Sequence, residues 1–366
     1  MNYLIYLGHP AQYHFFNRII INLRSQGHQV KVLIKTKDIL EQLLQEDGME
    51  YVNIQPVMRK NSKWAIFIAM LQRVKAVVRI AKEFKADVLV GEDASLSWAS
   101  ILLRKDAISV LEDDYEVIKS EAILAYPFVK HIVVPQVCSV GPFDKKKIGY
   151  EGYMKLAYLH PNYFQSNNDV CLSYGIDPKS KYILIRLARL TAFHDTNIKG
   201  LNRNVVDNII AQAESKGYRV YISSENELDE QLSVYQLRIK HTDVHHIMAN
   251  ASLLISDSQS MSVEAAMLGV PSLRFSDFTG RIRVLEELEH KYQLTFGIKT
   301  SEPEKLQIKA EELLGLTDVR ATFSQRKLQM LHDKIDVTAF FTWLLDNYPQ
   351  TSIQVHQPDF NWNQFK

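Results

Sequence analysis

Serine and glutamate residues occur together where an apolar run gives way to a helical pattern, in DSQSMSVEAAMLGVPSLR at residues 257–274. At the start of that helix, Ser258, Ser260 and the backbone N–H groups around Met261 would form an anion site. Glu264 follows Met261 by three positions, so it does not complete a Ser-x-x-Glu capping box. One turn inside the helix, Glu264 can accept hydrogen bonds from vicinal hydroxyls such as those of a ribose. The pattern predicts a diphosphate and ribose site; a helix cap with an incidental glutamate is the alternative.

Basic residues are concentrated in a second stretch, YILIRLARLTAFHDTNIKG at residues 182–200. Arg186 lies near the end of a predicted strand, and His194 and Lys199 follow in the loop. Guanidinium groups bind phosphates in bidentate fashion, so this stretch also predicts phosphate binding. Ser224 ends the next predicted strand and is included in the same site. Surface charge on a loop is the alternative.

The first predicted strand is followed by GHPAQYHFF, residues 8–16. Gly8 allows a tight turn and Pro10 can open a helix. The positive end of that helix lowers the pKa of a nearby imidazole and favours the neutral form that a general base needs. His14 is therefore the predicted base, and a half-buried histidine bonded to the backbone is the alternative.

Carboxylates follow two further strands of the first half, in GED at residues 91–93 and EDD at residues 112–114. Neighbouring carboxyl groups shift each other's pKa values apart and can serve as acid and base. Asp93 and Glu112 are the predicted catalytic carboxylates. Helix capping and solvation, or a divalent metal, are alternatives. His241 and His245 are four residues apart, but no third ligand is visible, so these histidines are expected to line the base-binding side of a pocket or to pack. No metal site and no cofactor are predicted.

The composition narrows the class of protein. The 366 residues contain 43 basic and 42 acidic side chains and carry a net charge of +1, which gives no support for a nucleic-acid-binding protein. The two cysteines fit a reducing cytoplasm better than a disulfide framework. No run is long and apolar enough for a membrane span. We therefore expect a cytoplasmic protein with two domains.

Short apolar runs alternate with helical patterns along both halves, which predicts α/β domains with doubly wound parallel sheets. The predicted strands are YLIYL, QVKVLI, ADVLV, AISVL and HIVV in the first half, and YILIRLA, RVYIS, SLLIS and PSLRF in the second. Predicted helices 11–26 and 205–216 end before Gly27 and Gly217. We expect two Rossmann-type domains, 1–166 and 167–345, facing across a cleft, with a tail at 346–366. Ligands of such sheets bind at the carboxyl ends of the strands.

Five ordered segments resemble domain-of-unknown-function family 354, which is grouped with nucleotide-sugar enzymes of the GT-B fold. They are GHPAQYHFF, YEGYMKLAYLHP, AFHDTNIKG, ISSENEL and DVHHIMANASLLISDSQSMSVEAAMLGVPSLR. In many GT-B glycosyltransferases a serine-rich loop and a helical glutamate hold the nucleotide, which carries over to Ser258, Ser260 and Glu264. A histidine that opens the first helix acts as base or stabiliser there, matching His14. The resemblance implies a glycosyltransferase that uses a nucleotide sugar, with UDP as its nucleotide, in bacterial surface polysaccharide or glycolipid synthesis.

The chain is also similar to UDP-N-acetylglucosamine 2-epimerases. Their GD and EAG segments match GED and LEDD here and imply proton transfer by Asp93, Glu112 and His194. Their phosphate loop has two glycines after the serine, where this chain has Gln259 and Ser260. A non-catalytic protein that binds nucleotide sugars is the third hypothesis.

A basic, apolar helix is predicted within residues 58–85. Its apolar stripe is Ile66, Phe67, Met70, Leu71, Val74, Val77, Val78 and Ala81, and its cations are Arg59, Lys60, Lys63, Arg73, Lys75, Arg79, Lys82 and Lys85. Such a helix can lie on an anionic membrane beside a carbohydrate or lipid-linked acceptor. A helix that covers a sheet shows the same stripe, so peripheral membrane contact and sheet packing both remain open.

Overall fold

The computed structural model of the chain describes residues 1–56, 63–187, 201–224 and 228–366, and no side chains for 63–66. The predicted site residues His194 and Lys199 lie outside these ranges. The described chain forms two compact units, residues 1–158 with 334–366, and residues 159–333. The predicted domains of 167–345 and a separate tail at 346–366 therefore need correction, because the last 33 residues belong to the first unit.

The first unit is built around a seven-stranded sheet. Its strands are β1 (Asn2–Leu7), β2 (Gln29–Lys35), β3 (Tyr51–Gln55), β4 (Val88–Val90), β5 (Asp106–Val110), β6 (His131–Pro135) and β7 (Lys147–Tyr150). Its helices are α1 (Pro10–Ser25), α2 (Leu40–Glu46), α3 (Lys63–Phe84), α4 (Ala94–Leu103), α5 (Lys119–Ala125), α15 (Val337–Asp346) and α16 (Gln350–Gln354), with α6 (Leu156–Leu159) at the unit boundary and 3₁₀ turns at Tyr126–Phe128, Gly141–Lys146 and Trp362–Phe365.

The strands of this sheet are parallel and follow the order β3-β2-β1-β4-β5-β6-β7. The order of the chain reverses between β1 and β4. In open parallel sheets this reversal leaves a crevice at the carboxyl ends of the strands, where ligands bind. Gly8 and the segment 91–93 therefore lie at the expected binding position of the first unit.

The C-terminal segment returns to the first unit because α15 is strongly apolar and packs on α1. Phe341 meets Phe15 with ring centroids 4.8 Å apart, and the Asn22 amide donates to Thr342 Oγ1 at 3.2 Å. The Tyr3 hydroxyl donates to the Leu345 carbonyl. The sequence of α15 shows that it needs a hydrophobic partner, but it does not show which sheet supplies one.

The second unit contains a five-stranded sheet. Its strands are β8 (Tyr182–Leu187), β9 (Arg219–Ser224), β10 (Leu253–Ser256), β11 (Ser272–Phe275) and β12 (Thr295–Ile298). Its helices are α7 (Asn168–Ser173), α8 (Arg203–Ser215), α9 (Glu230–Ser233), α10 (Val244–Ala249), α11 (Gln259–Leu268), α12 (Arg283–His290), α13 (Pro303–Leu314) and α14 (Val319–Asp333).

This sheet is parallel too, in the order β12-β11-β10-β8-β9. The chain order reverses between β8 and β10, and Arg186 of β8 pairs in register with Ser256 of β10. Such a reversal of strand order is the topological switch point of a sheet. The residues that follow β10 and open α11 therefore lie at the switch point of the second sheet. The sheet is completely buried along β10 and β11.

All nine predicted strands are confirmed, and Gly27 and Gly217 follow α1 and α8 with positive φ angles of 88° and 78°. Three strands were missed, and each lies at an edge of its sheet: β3, β7 and β12. Edge strands bury fewer side chains, so their sequences lack a continuous apolar run. In the part of the chain that the structure describes, no helix is both long and apolar enough to cross a bilayer.

Candidate functional site

The switch point of the first unit depends on a close approach between β4 and β1. Gly91 has φ of 148°, and a Cβ atom there would lie 2.7 Å from the carbonyl oxygen of Tyr6. Gly8 is buried, and its N–H donates to Gln12 Oε1 at 2.6 Å. The two backbones can therefore meet only with glycine at residue 91, which carries Glu92 to the edge of the sheet beside Gly8.

Glu92 is the carboxyl group with the most perturbed acidity at this edge. Its side chain reaches solvent, yet its pKa is raised from 4.5 to about 7, first by desolvation and then by repulsion from Asp113. The pKa of Asp113 is also raised, chiefly by desolvation. A carboxyl group with a pKa near neutrality can take up or release a proton at working pH. Glu92 was noted within GED, but Asp93 was chosen as the catalytic residue.

Asp93 is held in structural contacts. It is the N-cap of α4 and accepts from Ser95 N at 2.9 Å, while Arg73 Nη2 lies 3.4 Å from its Oδ2. Burial alone would raise the pKa of Asp93, but Arg73, Lys35 and the bonds from Ser95 lower it overall. Asp93 is therefore an ionised cap and ion-pair partner in this structure. This is the capping alternative that the sequence left open.

Glu112 follows β5 and forms a nearly buried ion pair. Lys155 Nζ donates to Glu112 Oε2 at 2.7 Å, with side chains 9% and 11% exposed. The backbone N–H of Met154 donates to Glu112 Oε1 at 2.6 Å. Lys155 lies in the YEGYMKLAYLHP segment but received no role in the sequence reading. Its long separation from Glu112 along the chain hides the pairing.

His14 lies in the second turn of α1 and is half-buried. Its ring contacts those of Tyr13 and Tyr158, with centroids 5.1 and 5.2 Å apart. His9, not His14, is the N-cap of α1: its Nδ1 accepts from Ala11 N at 3.2 Å. Desolvation lowers the pKa of His9. The imidazole with a lowered pKa at this helix start is therefore His9, and the cause is burial.

In the second unit, Ser258 is the N-cap of α11, and its Oγ accepts from Met261 N at 3.3 Å. No described residue accepts from the backbone N–H groups of Gln259 and Ser260. Two N–H groups and the positive end of a ten-residue helix thus face the switch point of this sheet. Ser258 is therefore a helix cap, which was the alternative to an anion site. The backbone N–H groups of Gln259 and Ser260 beside it can still donate to an anion.

Glu264 is 8% exposed and lies four residues after Ser260, on the same face of α11. Its Oε1 is 3.5 Å from His245 Nε2 of α10. Phe164 meets the rings of His245 and His246, stacking on His246 with centroids 4.9 Å apart. A carboxylate, an imidazole and an aromatic ring at one place suit a ribose and a base. From the sequence, His245 was expected to line the base-binding side of a pocket or to pack, and it was not named among the site residues.

Arg186 and Ser224 lie at the carboxyl ends of β8 and β9. Arg186 Nη1 donates to Ser223 Oγ at 2.9 Å, and its side chain is half-buried. Arg186 is also in register with Ser256, two residues before the cap of α11. The second unit therefore brings Arg186, Ser224, Ser258, Ser260 and Glu264 to one edge of one sheet.

Met261 does not offer its backbone N–H to an anion, contrary to the prediction from the sequence. Its side chain packs against the buried cluster that includes Ile247, Leu254 and Ala265, and its N–H is taken by Ser258. Arg274 was missed altogether, although it stands in an apolar strand just as Arg186 does. Among the described residues, no group of three or more His, Cys, Asp or Glu side chains could hold a metal ion. That the protein needs no metal or cofactor stays a prediction.

Helix α3 exposes only part of the apolar stripe that was considered for membrane contact. Met70, Val74, Val77 and Ala81 are buried, and so is Arg73, which pairs with Asp93. The exposed apolar residues of its described part are Phe67, Ile68 and Leu71. Most of the stripe is therefore used to cover the sheet, and membrane contact stays a prediction.

Two parallel α/β units with polar residues at both switch points define the class: the fold is the GT-B fold, as predicted. The chain belongs to the family described as "Protein of unknown function (DUF354)", which matches residues 2–282. This confirms the resemblance drawn from the five segments. No curated protein matches the chain in sequence.

Solved structures share the fold at low sequence identity. A UDP-N-acetylglucosamine 2-epimerase described as putative, from Listeria monocytogenes, is 13% identical with a TM-score of 0.66, covering 89% of this chain and 90% of that one. The UDP-GlcNAc 2-epimerase of Neisseria meningitidis, bound to UDP-GlcNAc, is 14% identical with a TM-score of 0.60, covering 91% and 100%. The spinosyn rhamnosyltransferase SpnG, with spinosyn aglycone, is 14% identical with a TM-score of 0.59, covering 95% and 100%.

Proposed function

We propose that the protein is a glycosyltransferase that takes its sugar from a nucleotide sugar, with UDP as the nucleotide. The observation that carries the proposal is the start of α11, where two backbone N–H groups without an acceptor among the described residues lie about one turn before Glu264. In this role the N–H groups bind the diphosphate and Glu264 accepts hydrogen bonds from the ribose. Several similar structures carry UDP or a UDP-sugar, which supports this choice of ligand.

The reaction requires a base for the acceptor and stabilisation for the leaving group. The acceptor hydroxyl attacks the anomeric carbon and gives its proton to His14, while the bond from that carbon to the diphosphate oxygen breaks. Negative charge develops on the diphosphate, and the start of α11 with Arg186 stabilises it. Lys199 and His194 lie outside the described residues. From the sequence, Lys199 is proposed to stabilise the leaving diphosphate as well, and His194 to transfer a proton in the epimerase alternative. The acceptor is a surface polysaccharide or a lipid-linked glycan.

The contacts of Asp93 and Glu112 favour transfer over epimerisation. Asp93 pairs with the buried Arg73, and Glu112 accepts from the buried Lys155 and from Met154 N, so neither can take up and return a proton without breaking those contacts. A transferase needs neither as a proton carrier. Their role here is to hold the edge of the first sheet.

A UDP-N-acetylglucosamine 2-epimerase is the second candidate, and Glu92 is the observation that favours it. An epimerase must remove a proton from C2 and return one, and it eliminates and re-adds the nucleoside diphosphate. Glu92, with a pKa of about 7, and Asp113, with a raised pKa, are neighbouring carboxyl groups suited to such steps.

The deciding experiment incubates the purified protein with a panel of UDP-sugars, with and without cell-wall acceptors, and follows the sugars by NMR. Release of UDP and a new glycosidic signal only when an acceptor is present would support transfer. A change of configuration at C2 without an acceptor would refute transfer and establish epimerisation. Tight UDP binding with no turnover of any donor would refute both and favour a non-catalytic binding protein.

A further inference from the structure

Arg274 of β11 is fully buried, and no carboxylate among the described residues is its partner. Its exposed fraction is 0%, and Nη1 donates to Gln259 Oε1 at 2.8 Å. Nε and Nη2 have no partner, and within the described chain no carboxylate oxygen lies within 4 Å of the guanidinium. A buried charge normally requires a paired opposite charge, since removing an ion from water costs several kcal/mol. Arg274 therefore calls for a source of negative charge outside the described side chains.

The guanidinium is fixed directly behind the start of α11. Gln259, which receives its hydrogen bond, is the first residue of that helix, and Gln259 Nε2 donates in turn to Ser276 Oγ at 2.8 Å. This series of hydrogen bonds, Arg274–Gln259–Ser276, thus holds Gln259, whose backbone N–H has no acceptor in the described part of the chain and can donate to an anion. The buried charge and the helix end are separated by a single side-chain amide.

The neighbouring strand is shaped to accommodate this arginine. A Cβ atom at Gly297 of β12 would lie 2.5 Å from Arg274 Nη2 and 2.8 Å from Thr279 Cγ2. Any larger residue at 297 would displace the guanidinium or the threonine. Glu289 of α12, the carboxylate with the largest effect on the pKa of Arg274, accepts from Gly297 N at 2.9 Å instead of pairing with the arginine.

We propose that Arg274 is a positioning residue for the anion site at the start of α11, and that a bound diphosphate supplies its missing counter-charge. The ligand does not touch Arg274: it binds the N–H groups of Gln259 and Ser260, which Arg274 orients and makes more positive through the Gln259 amide. Buried charges act over several ångströms because little water screens them. The inference rests on the proposed function, since it names the part of the nucleotide that the arginine serves.

The test measures binding of UDP, uridine and inorganic pyrophosphate by calorimetry to the full chain and to Arg274→Met. The loss of the buried charge should weaken UDP and pyrophosphate binding by about tenfold or more, as expected for a unit charge that acts over several ångströms with little screening, and leave uridine binding within about twofold. Arg274→Lys, which keeps the charge, should restore part of the lost affinity for both anions. Arg219→Met, an exposed arginine at the opposite end of β9, is the matched control and should bind all three as the unaltered protein does.

Equal losses for UDP and uridine would overturn the inference, because they would mean that Arg274 only supports the fold. Unchanged pyrophosphate and UDP affinity in a folded Arg274→Met would overturn it as well. If Arg274→Met does not fold, Gln259→Leu cuts the same link from the surface side and should show the same selective loss. Arg274-dependent binding of pyrophosphate without any binding of UDP or uridine would uphold the anion site and refute the nucleotide-sugar function.

Discussion

Replacing Glu92 with glutamine is expected to change the pH dependence of stability in a direction set by its raised pKa. The folded chain raises that pKa from 4.5 to about 7, so the folded state holds the proton more tightly than the unfolded state does. The stabilising effect of the neutral carboxyl is complete below about pH 4.5 and is lost as the pH rises towards 7. Above pH 7 the wild-type chain carries a charge that its surroundings disfavour, and Glu92→Gln does not.

The size of the effect follows from the shift. A rise from 4.5 to about 7 corresponds to about 3 kcal/mol without screening. Because Glu92 reaches solvent, we expect only about 1–2 kcal/mol. Relative to the wild type, Glu92→Gln should therefore gain that much free energy of unfolding between pH 5 and pH 8.

Urea unfolding of both chains at pH 5, 6, 7 and 8 measures this difference, and no substrate is needed. Glu50→Gln, which removes one exposed carboxylate from the same unit, is the control and should follow the wild type within about 0.5 kcal/mol. Parallel curves for wild type and Glu92→Gln would refute the reasoning, since they would mean that Glu92 ionises as it does in water. That result would also remove the support for Glu92 as a proton-transferring residue in the epimerase alternative.

Three further outcomes test the two units and α3. Glu264→Ala should weaken UDP binding about tenfold, as calorimetry measures it, while lowering the free energy of unfolding by less than about 1 kcal/mol; equal losses of both would make Glu264 a purely structural residue. Lys155→Met should lower the free energy of unfolding by about 3 kcal/mol, because it leaves the nearly buried Glu112 without its cation. Lys105→Met, which breaks the exposed pair with Asp87 at 3.7 Å, should lower it by less than about 1 kcal/mol. Similar losses for the two variants would contradict the argument from burial. If α3 lies on anionic membranes, replacing its exposed cations Lys75, Arg79 and Lys82 by glutamate should abolish co-sedimentation of the protein with anionic liposomes. Binding that survives the change would exclude α3 as the membrane contact.

Much of the architecture was predictable because it rests on local patterns. Strands buried on both faces need continuous apolar runs, and each of the nine such runs forms a strand. Helices α1 and α8 end before glycines that adopt positive φ, since those residues have no Cβ to oppose it. The start of α11 was also located correctly, because a serine between an apolar strand and a helical pattern is a local signal.

The roles of the charged residues were less accessible, because partners distant in sequence decide them. Arg73 was counted among the cations of a helix that either contacts a membrane or covers a sheet, and it pairs with Asp93. Glu112 meets Lys155 only after the chain has passed through β6 and β7. Asp93 and Glu92 are adjacent in sequence, yet one caps a helix beside a guanidinium and the other is desolvated next to a like charge. The pKa of a side chain depends on its burial and on the charges around it, and the spacing of residues along the sequence does not give either.

The sequence by itself determined that this protein has two parallel α/β units whose strands end in serines, arginines, histidines and carboxylates, because periodicity and caps are properties of short segments. Only the tertiary structure decided which of those side chains are caps, ion-pair partners or accessible groups. It also decided that residues 334–366 complete the first unit, and that Arg274 lies buried behind the start of α11. Burial and pairing are properties of residues brought together in space, so they appear only when the sheets are assembled.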